Sequence, residues 1–277
     1  MQDQTASRTA LATAFLRAAH QILDNPPLLL SDPGALLLLG PRAAGTINAD
    51  LSRYQSQAGK ALRTHVVLRS RFAEDRLQES VARGVTRYIL VGAGFDTFAW
   101  RQPSWARGLQ IVEVDHPATQ AAKRERIAKA GLAESENLLF APVDFEREDL
   151  DGLLACCGVN RTEPVFFSWL GVTVYLEEGA IDATLRAIAA FAPGTRVVLT
   201  FRQPGGEHSA PLAERASELG EPFVTLFTPE EMGAKLLRSG FRNIDFLTPE
   251  RARRLYFTPP RNDLPVPKRT SILCAAR

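Results

Sequence analysis

Tyr88-Ile89-Leu90-Val91-Gly92-Ala93-Gly94-Phe95-Asp96 decides how the chain is to be read, because an apolar run passes there directly into Gly-x-Gly. A run this short, made of aromatic and β-branched residues, predicts a buried strand rather than a helix. Gly92 and Gly94 carry no side chain, so a ligand can lie against the backbone where the strand ends, the place at which doubly wound sheets hold their ligands. A tight turn into a helix with no ligand would use the same two glycines. Thr97 stands where the dinucleotide fingerprint G-x-G-x-x-G has its third glycine. That residue argues against close pyrophosphate packing, and so against an NAD enzyme.

On the C-terminal side the same pattern recurs. Strands are predicted at 88–91, 110–114, 138–143, 164–169, 196–201, 243–247 and 271–275, with helices near 117–130, 177–191 and 229–239. This alternation predicts an α/β fold, a seven-stranded and mostly parallel sheet with helices on both faces. No clear helix separates the last two strands, which predicts a closing antiparallel hairpin. On the N-terminal side, Ala10, Leu11, Ala14, Phe15, Ala18 and Ile22 recur at helical spacing until Asn25-Pro26-Pro27, and 51–83 is a second helical region dense in arginine. The expected division is an N-terminal helical cap or lid over 1–83 and a ligand-binding domain over 84–277.

With 277 residues, 45% of them hydrophobic, a sizeable core is assured and a disordered chain is excluded. The 33 Lys+Arg nearly cancel the 31 Asp+Glu, so the broad positive field of a dedicated nucleic-acid binder is missing. Arg251, Arg253 and Arg254 cluster, but Thr248-Pro249-Glu250 opens a short helix whose solvated face accounts for them. Thr228 and Glu231 have the spacing of a capping box. Three cysteines, two of them adjacent at 156 and 157, make neither a disulfide framework nor a zinc spacing and suit a reducing compartment. No apolar run approaches the roughly 18–20 residues of a membrane span. Met1-Gln2-Asp3-Gln4 lacks the basic start of a signal peptide, and a cytoplasmic protein is expected.

Acids mark the ends of the next two strands. The second ends Glu113-Val114-Asp115-His116. A carboxylate at that place accepts hydrogen bonds from both hydroxyls of a ribose, although Asp115 before Pro117 also suits a helix cap. The two-residue period puts Glu113 on the face of Asp115, where both would line the site. The third strand ends Val143-Asp144-Phe145, a carboxylate that can accept from an exocyclic amine and a flat ring that can cover an adenine.

Five motifs follow one another: Val67-Leu68-Arg69-Ser70-Arg71-Phe72-Ala73-Glu74-Asp75; the glycine turn with Thr97-Phe98-Ala99-Trp100-Arg101 after it; Glu113-Val114-Asp115-His116-Pro117; Val143-Asp144-Phe145; and Trp169-Leu170-Gly171-Val172-Thr173-Val174-Tyr175-Leu176. In this order they closely resemble the S-adenosylmethionine-dependent methyltransferases that include the leucine carboxyl methyltransferases. The resemblance runs from about residue 60 to 205. It implies a class I methyltransferase fold, Rossmann-like, with one antiparallel strand in its sheet and extra N-terminal helices. The implied cofactor is S-adenosylmethionine, with S-adenosylhomocysteine as product. Residue by residue, it implies that Arg71 pairs with the methionine carboxylate, with Arg69 as the alternative partner. Gly92, Ala93 and Gly94 would face the methionine part, Asp115 with His116 beside it the ribose, and Asp144 with Phe145 the adenine. Trp169 would close the strand that runs beside the cofactor. An Arg71 paired with Glu74 or Asp75 across one helical turn is the structural alternative.

Tyr175 is the candidate catalytic and substrate-orienting residue through its hydroxyl, with burial in the core as the other reading. Better-known carboxyl methyltransferases of the family have a glutamate about five residues before that tyrosine, whereas this chain has Leu170. Arg202, just past the fifth strand, would bind an anionic acceptor. The histidines at 20, 65, 116 and 208 show no evident His-Asp arrangement; His208, in a Gly-rich loop, is a candidate base, with a solvated loop histidine as the more common reading. A carboxylate is ionised at neutral pH and needs no base, whereas a phenol does. The expected function is therefore an O-methyltransferase acting on a carboxylate of a small metabolite or a peptide terminus. The alternatives are a phenol or hydroxyl O-methyltransferase of secondary metabolism and an inactive homologue that binds the cofactor.

Overall fold

The computed structural model describes residues 6–144, 150–205, 209–259 and 263–277. Each predicted apolar run forms a strand: β1 (Arg87–Val91), β2 (Gln110–Asp115), β3 (Leu138–Pro142), β4 (Phe166–Trp169), β5 (Arg196–Thr200), β6 (Asn243–Phe246) and β7 (Ile272–Ala276). They make one seven-stranded sheet in the order β3-β2-β1-β4-β5-β7-β6. The first five are parallel, and β7 runs antiparallel to both β5 and β6. The last two strands pair antiparallel as expected, but a helix, α11 in the numbering below, stands between them.

The helices are α1 (Arg8–Leu23), α2 (Pro33–Leu39), α3 (Ala43–Ala49), α4 (Leu51–Gln55), α5 (Gln57–Val81), α6 (Pro117–Lys129), α7 (Leu150–Cys156), α8 (Glu178–Ala189), α9 (Ser209–Glu218), α10 (Pro229–Ser239) and α11 (Pro249–Tyr256). Thr228 and Glu231 close the predicted capping box on α10, and Thr248 caps α11.

Central strands are apolar on both sides because helices cover both faces. Ile89 and Val91 join Phe167 and Trp169 in a core under α7, α8 and α10, while Tyr88 and Leu90 join Phe166 in a second core under α5. From α5 the second core receives Val67, Leu68, Phe72, Ala73 and Leu77, so this helix is a layer of the sheet's own packing. Each such Leu or Phe contributes about 1.5–3 kcal/mol on burial.

Helices α1 to α4 stack beyond α5 and are held by buried charge. Arg63 on α5 grips Asp24 with two hydrogen bonds of 2.7 Å, and Asp24 also meets His20 Nδ1 at 2.7 Å. Arg17 on α1 meets Asp32 at 2.8 Å. Asp32 in turn accepts from the Thr97 hydroxyl and lies 3.4 Å from Arg101, which pairs with Glu74 on α5. Removing one partner of such a network strands a buried charge and costs about 3–5 kcal/mol. Thr97, the residue that breaks the dinucleotide fingerprint, thus anchors the cap to the turn after β1.

Candidate active site

Strand order reverses at β1, which has β2 on one side and β4 on the other, and parallel sheets open a crevice at such a point. A cavity of about 770 Å³ fills it. Its floor is the turn after β1. Gly92 and Gly94 have φ of +70° and +53°, where a side chain is strained. A Cβ on Gly92 would also overlap Val172 Cγ2. Asp115 accepts from the N–H of Gly94 and, at 2.7 Å, from that of His116, which ties the turn to β2. Burial raises the Asp115 pKa, against the lowering effect of these two N–H groups. The cap of α6 is His116, whose Nδ1 accepts from Ala118 N at 3.2 Å, so Asp115 does not serve as the helix cap. Ala93, Asp115, His116, Val143 and Asp144 all line the cavity. Phe145 and His208 lie outside the described residues.

Three expected positions lie elsewhere. Trp169 is fully buried in the core under α8, because strand alternation sends it with Phe167 to one face and Ser168, which lines the cavity, to the other. Glu113 is sealed beneath α6 against Lys123, and burial pushes its carboxyl up to about 7 in spite of that lysine. Arg71 points away from the cavity. Its Nε meets Asp75 at 2.8 Å, its Nη1 donates to Leu29 O at 3.2 Å, and its guanidinium lies over Tyr256.

Arg69 takes the place expected of Arg71. Two helical positions differ by about 200° in direction, so only one of the two arginines can face inward. Leu62, His65, Val66 and Arg69 form the lining stripe of α5, spaced by three and four residues. That spacing was a signal available in the sequence. The Arg69 guanidinium lies against Gly171, whose φ of +78° and missing Cβ make room for it. It makes no hydrogen bond or ion pair among the described residues. Burial and Arg17 lower its pKa to about 10, so it stays charged at neutral pH.

The far half of the cavity is built by side chains. Tyr175 follows Gly171 on a short turn, stacks near Phe223 at 5.8 Å and lies against Thr9; burial raises its pKa. Arg202 leaves β5 and lies over the same Phe223 ring at 4.7 Å. His65, which sequence reasoning passed over, lines the cavity beside Arg69 and Arg202 and is driven down to about 3 by burial and then by those two cations. Leu170, at the position of the family's glutamate, also lines the cavity. The roof is the first turn of α1, clasped by Glu221. That carboxylate accepts from Ser7 Oγ at 2.9 Å, from Arg8 N at 2.7 Å and from the Thr9 hydroxyl.

Sheet order, glycine turn, acid after β2 and unpartnered cation at the cavity together describe a class I methyltransferase, dependent on S-adenosylmethionine. The chain belongs to the leucine carboxyl methyltransferase family, whose model matches residues 10–189. It is 29% identical over 293 residues to YktD of Bacillus subtilis, which carries the name of an S-adenosyl-L-methionine-dependent methyltransferase, covering 95% of each chain. It is 32% identical over 203 residues to the similarly named FRAAL3718 of Frankia alni, covering 71% of this chain and 69% of that one. A crystal structure from Thermobifida fusca described as that of a methyltransferase shares the fold, with a TM-score of 0.57, 18% identity, and 87% and 91% of the two chains covered. Among the described residues no helix is long and apolar enough to cross a membrane, and no cluster of His, Cys, Asp and Glu could hold a metal ion.

Proposed function

We propose that this methyltransferase is an O-methyltransferase whose acceptor is a carboxylate of a small metabolite. One observation carries the reading: the cations Arg69 and Arg202 act on His65 across one cavity, and among the described residues neither that imidazole nor the Tyr175 hydroxyl is suited to removing a proton at neutral pH. An imidazole with a pKa of about 3 is a poor base at neutral pH, because proton transfer is most effective when the base titrates near the working pH. Tyr175, raised by burial, does not ionise there either. The Arg202 guanidinium favours an acceptor that arrives already charged, and a carboxylate does.

The residues fit the cofactor as follows. Arg69 holds the methionine carboxylate with its planar fork. Gly92, Ala93 and Gly94 let the methionine part lie on bare backbone, Asp115 takes the ribose hydroxyls through its remaining lone pairs, and Asp144 lies toward the base. S-adenosylmethionine, when bound, supplies a methyl group on a sulfonium, an already activated carbon. The chain's task is then to align the acceptor oxygen and exclude water. Tyr175 and Arg202 orient the acceptor, and the helices before residue 83 roof it.

The test is a set of matched acceptors, each a carboxylic acid beside the alcohol or phenol of the same skeleton, assayed for methyl transfer between pH 5.5 and 9. Acids are expected to be methylated at a rate that is flat across this range, and the hydroxyl partners at least tenfold more slowly. A preference for hydroxyls, with a rate that climbs as a base deprotonates, would sink the proposal.

A further inference from the structure

His65 is held in place by more than its own helix. Its Nδ1 lies 3.4 Å from the Ser271 hydroxyl. Ser271 is itself fixed to the end of β5, since its carbonyl accepts from Phe201 N at 3.0 Å, one residue before Arg202. The following loop is tied down as well, with Gln203 donating to Thr270 O at 2.5 Å and Arg269 donating to Gln203 Oε1 at 3.0 Å. Imidazole and Arg202 guanidinium are thus carried on one braced unit where β5, β7 and α5 meet. The other ring nitrogen, Nε2, has no partner among the described residues and is not sealed in the protein, in a ring that lines the cavity. The cavity that this ring lines has apolar side chains in its wall, among them Phe15, Leu62, Val66, Leu170 and Phe223.

We infer that His65 determines acceptor specificity: with the Ser271 hydroxyl donating to Nδ1, Nε2–H joins the Arg202 guanidinium in binding the two oxygens of a monocarboxylate whose body is apolar. This rests on the carboxylate reading above and adds to it the residue and the shape of acceptor. An anion set between a guanidinium and a neutral N–H donor receives charge-assisted hydrogen bonds in an apolar setting, where each is stronger than in water. An alcohol offers one oxygen and no charge and leaves one of the two donors unused, which is how buried polar groups discriminate. Ser271 lies on Nδ1, and the cations Arg69 and Arg202 both disfavour a second proton on the ring.

Nitrogen-15 spectra of the histidine rings, in the full chain loaded with S-adenosylhomocysteine, test this directly. The His65 signals are assigned by their disappearance in His65→Gln. The wild-type ring is expected as the neutral Nε2–H tautomer from pH 5.5 to 8, and benzoate, phenylacetate or hexanoate is expected to shift its Nε2 signal, while benzyl alcohol does not. In calorimetry the best of these acids should bind at least tenfold more weakly to His65→Phe, while His65→Gln, whose amide N–H replaces the ring donor, stays within about threefold. The Nδ1–H tautomer, or equal acid affinity in wild type and His65→Phe, overturns the inference about His65. If the wild type binds the acids no better than the alcohol, the carboxylate reading falls first and the inference with it. The tautomer is measured on unaltered protein, so a variant that fails to fold does not leave the question open.

Discussion

The two halves of the cavity are made in different ways. On the sheet side the surface is backbone: bare turns at Gly92 and Gly94, a carboxylate on Asp115 held by two N–H groups, and strand ends fixed by their neighbours. On the helix side the surface is side chain: Leu62, His65 and Arg69 from α5, Tyr175, Arg202 and Phe223 from loops, with α1 as roof. A site made of backbone accepts one shape and tolerates almost no substitution beneath the ligand, whereas a wall of side chains can be re-cut one residue at a time. On the reading proposed above, the cofactor would lie on the backbone half, with Arg69 reaching it from α5, and the acceptor would be read by the remaining side chains.

The sharpest way to break this contrast is Gly92→Ala. A side chain there meets both a strained φ and the Val172 methyl, and the combined cost is about 3 kcal/mol. Thermal unfolding should show that loss, and calorimetry should show no binding of S-adenosylhomocysteine; normal binding by this variant would mean that the backbone cradle is not the cofactor's floor. Next in size is Arg69→Ala, which should weaken S-adenosylhomocysteine by about 2 kcal/mol, roughly thirtyfold, as expected for a lost charge-assisted pair. Arg71→Ala serves as its control and should change affinity by less than about 0.5 kcal/mol, since a half-exposed pair with Asp75 contributes little. The reverse ranking would restore Arg71 to the site.

A smaller effect than the loss of Arg69 concerns pH. His65 titrates near 3 in the folded chain, against about 6.5 for a free imidazole. As pH falls below 6.5, the unfolded chain takes up a proton that the folded chain refuses, so the stability due to a neutral His65 is progressively lost down to about 3. Glu113, raised to about 7, has the opposite effect, because the folded chain keeps its proton more tightly than the unfolded chain between about 4.5 and 7. Comparing wild type with His65→Gln cancels the Glu113 contribution. The stability of wild type relative to the variant should fall by about 1 kcal/mol between pH 7.5 and pH 5, a figure reduced for the part of the ring open to the cavity. An unchanged gap in denaturant titrations would show that His65 is solvated in the folded chain.

The backbone half was legible in the sequence and the side-chain half largely was not, for a physical reason. A strand, a glycine turn and an acid at the strand end are local patterns, and their order along the chain survives folding, so the sheet, Asp115 and the place of the cavity could be read directly. Helical phase is subtler. Arg69 and Arg71 both sit in an arginine-rich stretch, and only the run Leu62, His65, Val66, Arg69 tells which one faces inward. Charges in the cap were harder still: Arg17, His20, Asp24, Asp32 and Arg63 look like the solvated faces of helices until Asp24 and Asp32 are seen to gather Arg17 and His20 from α1 and Arg63 from α5. Trp169 was misplaced because a motif gives its neighbourhood but not the face of the strand on which it lies.

Ser7 and Glu221 are 214 positions apart, and their contact holds the roof of the site. Synthesis runs from one end of the chain to the other, so α1 leaves the ribosome long before its clasp exists. A nascent chain that has completed β1 to β5 already owns the glycine turn and the strand ends, yet its cavity still lies open to water above Gly94. Closing a loop of this length adds only slowly to the entropic cost of folding, so the long wait carries little thermodynamic penalty. It does set an order of events. The floor of the active site can form before its ceiling is fastened.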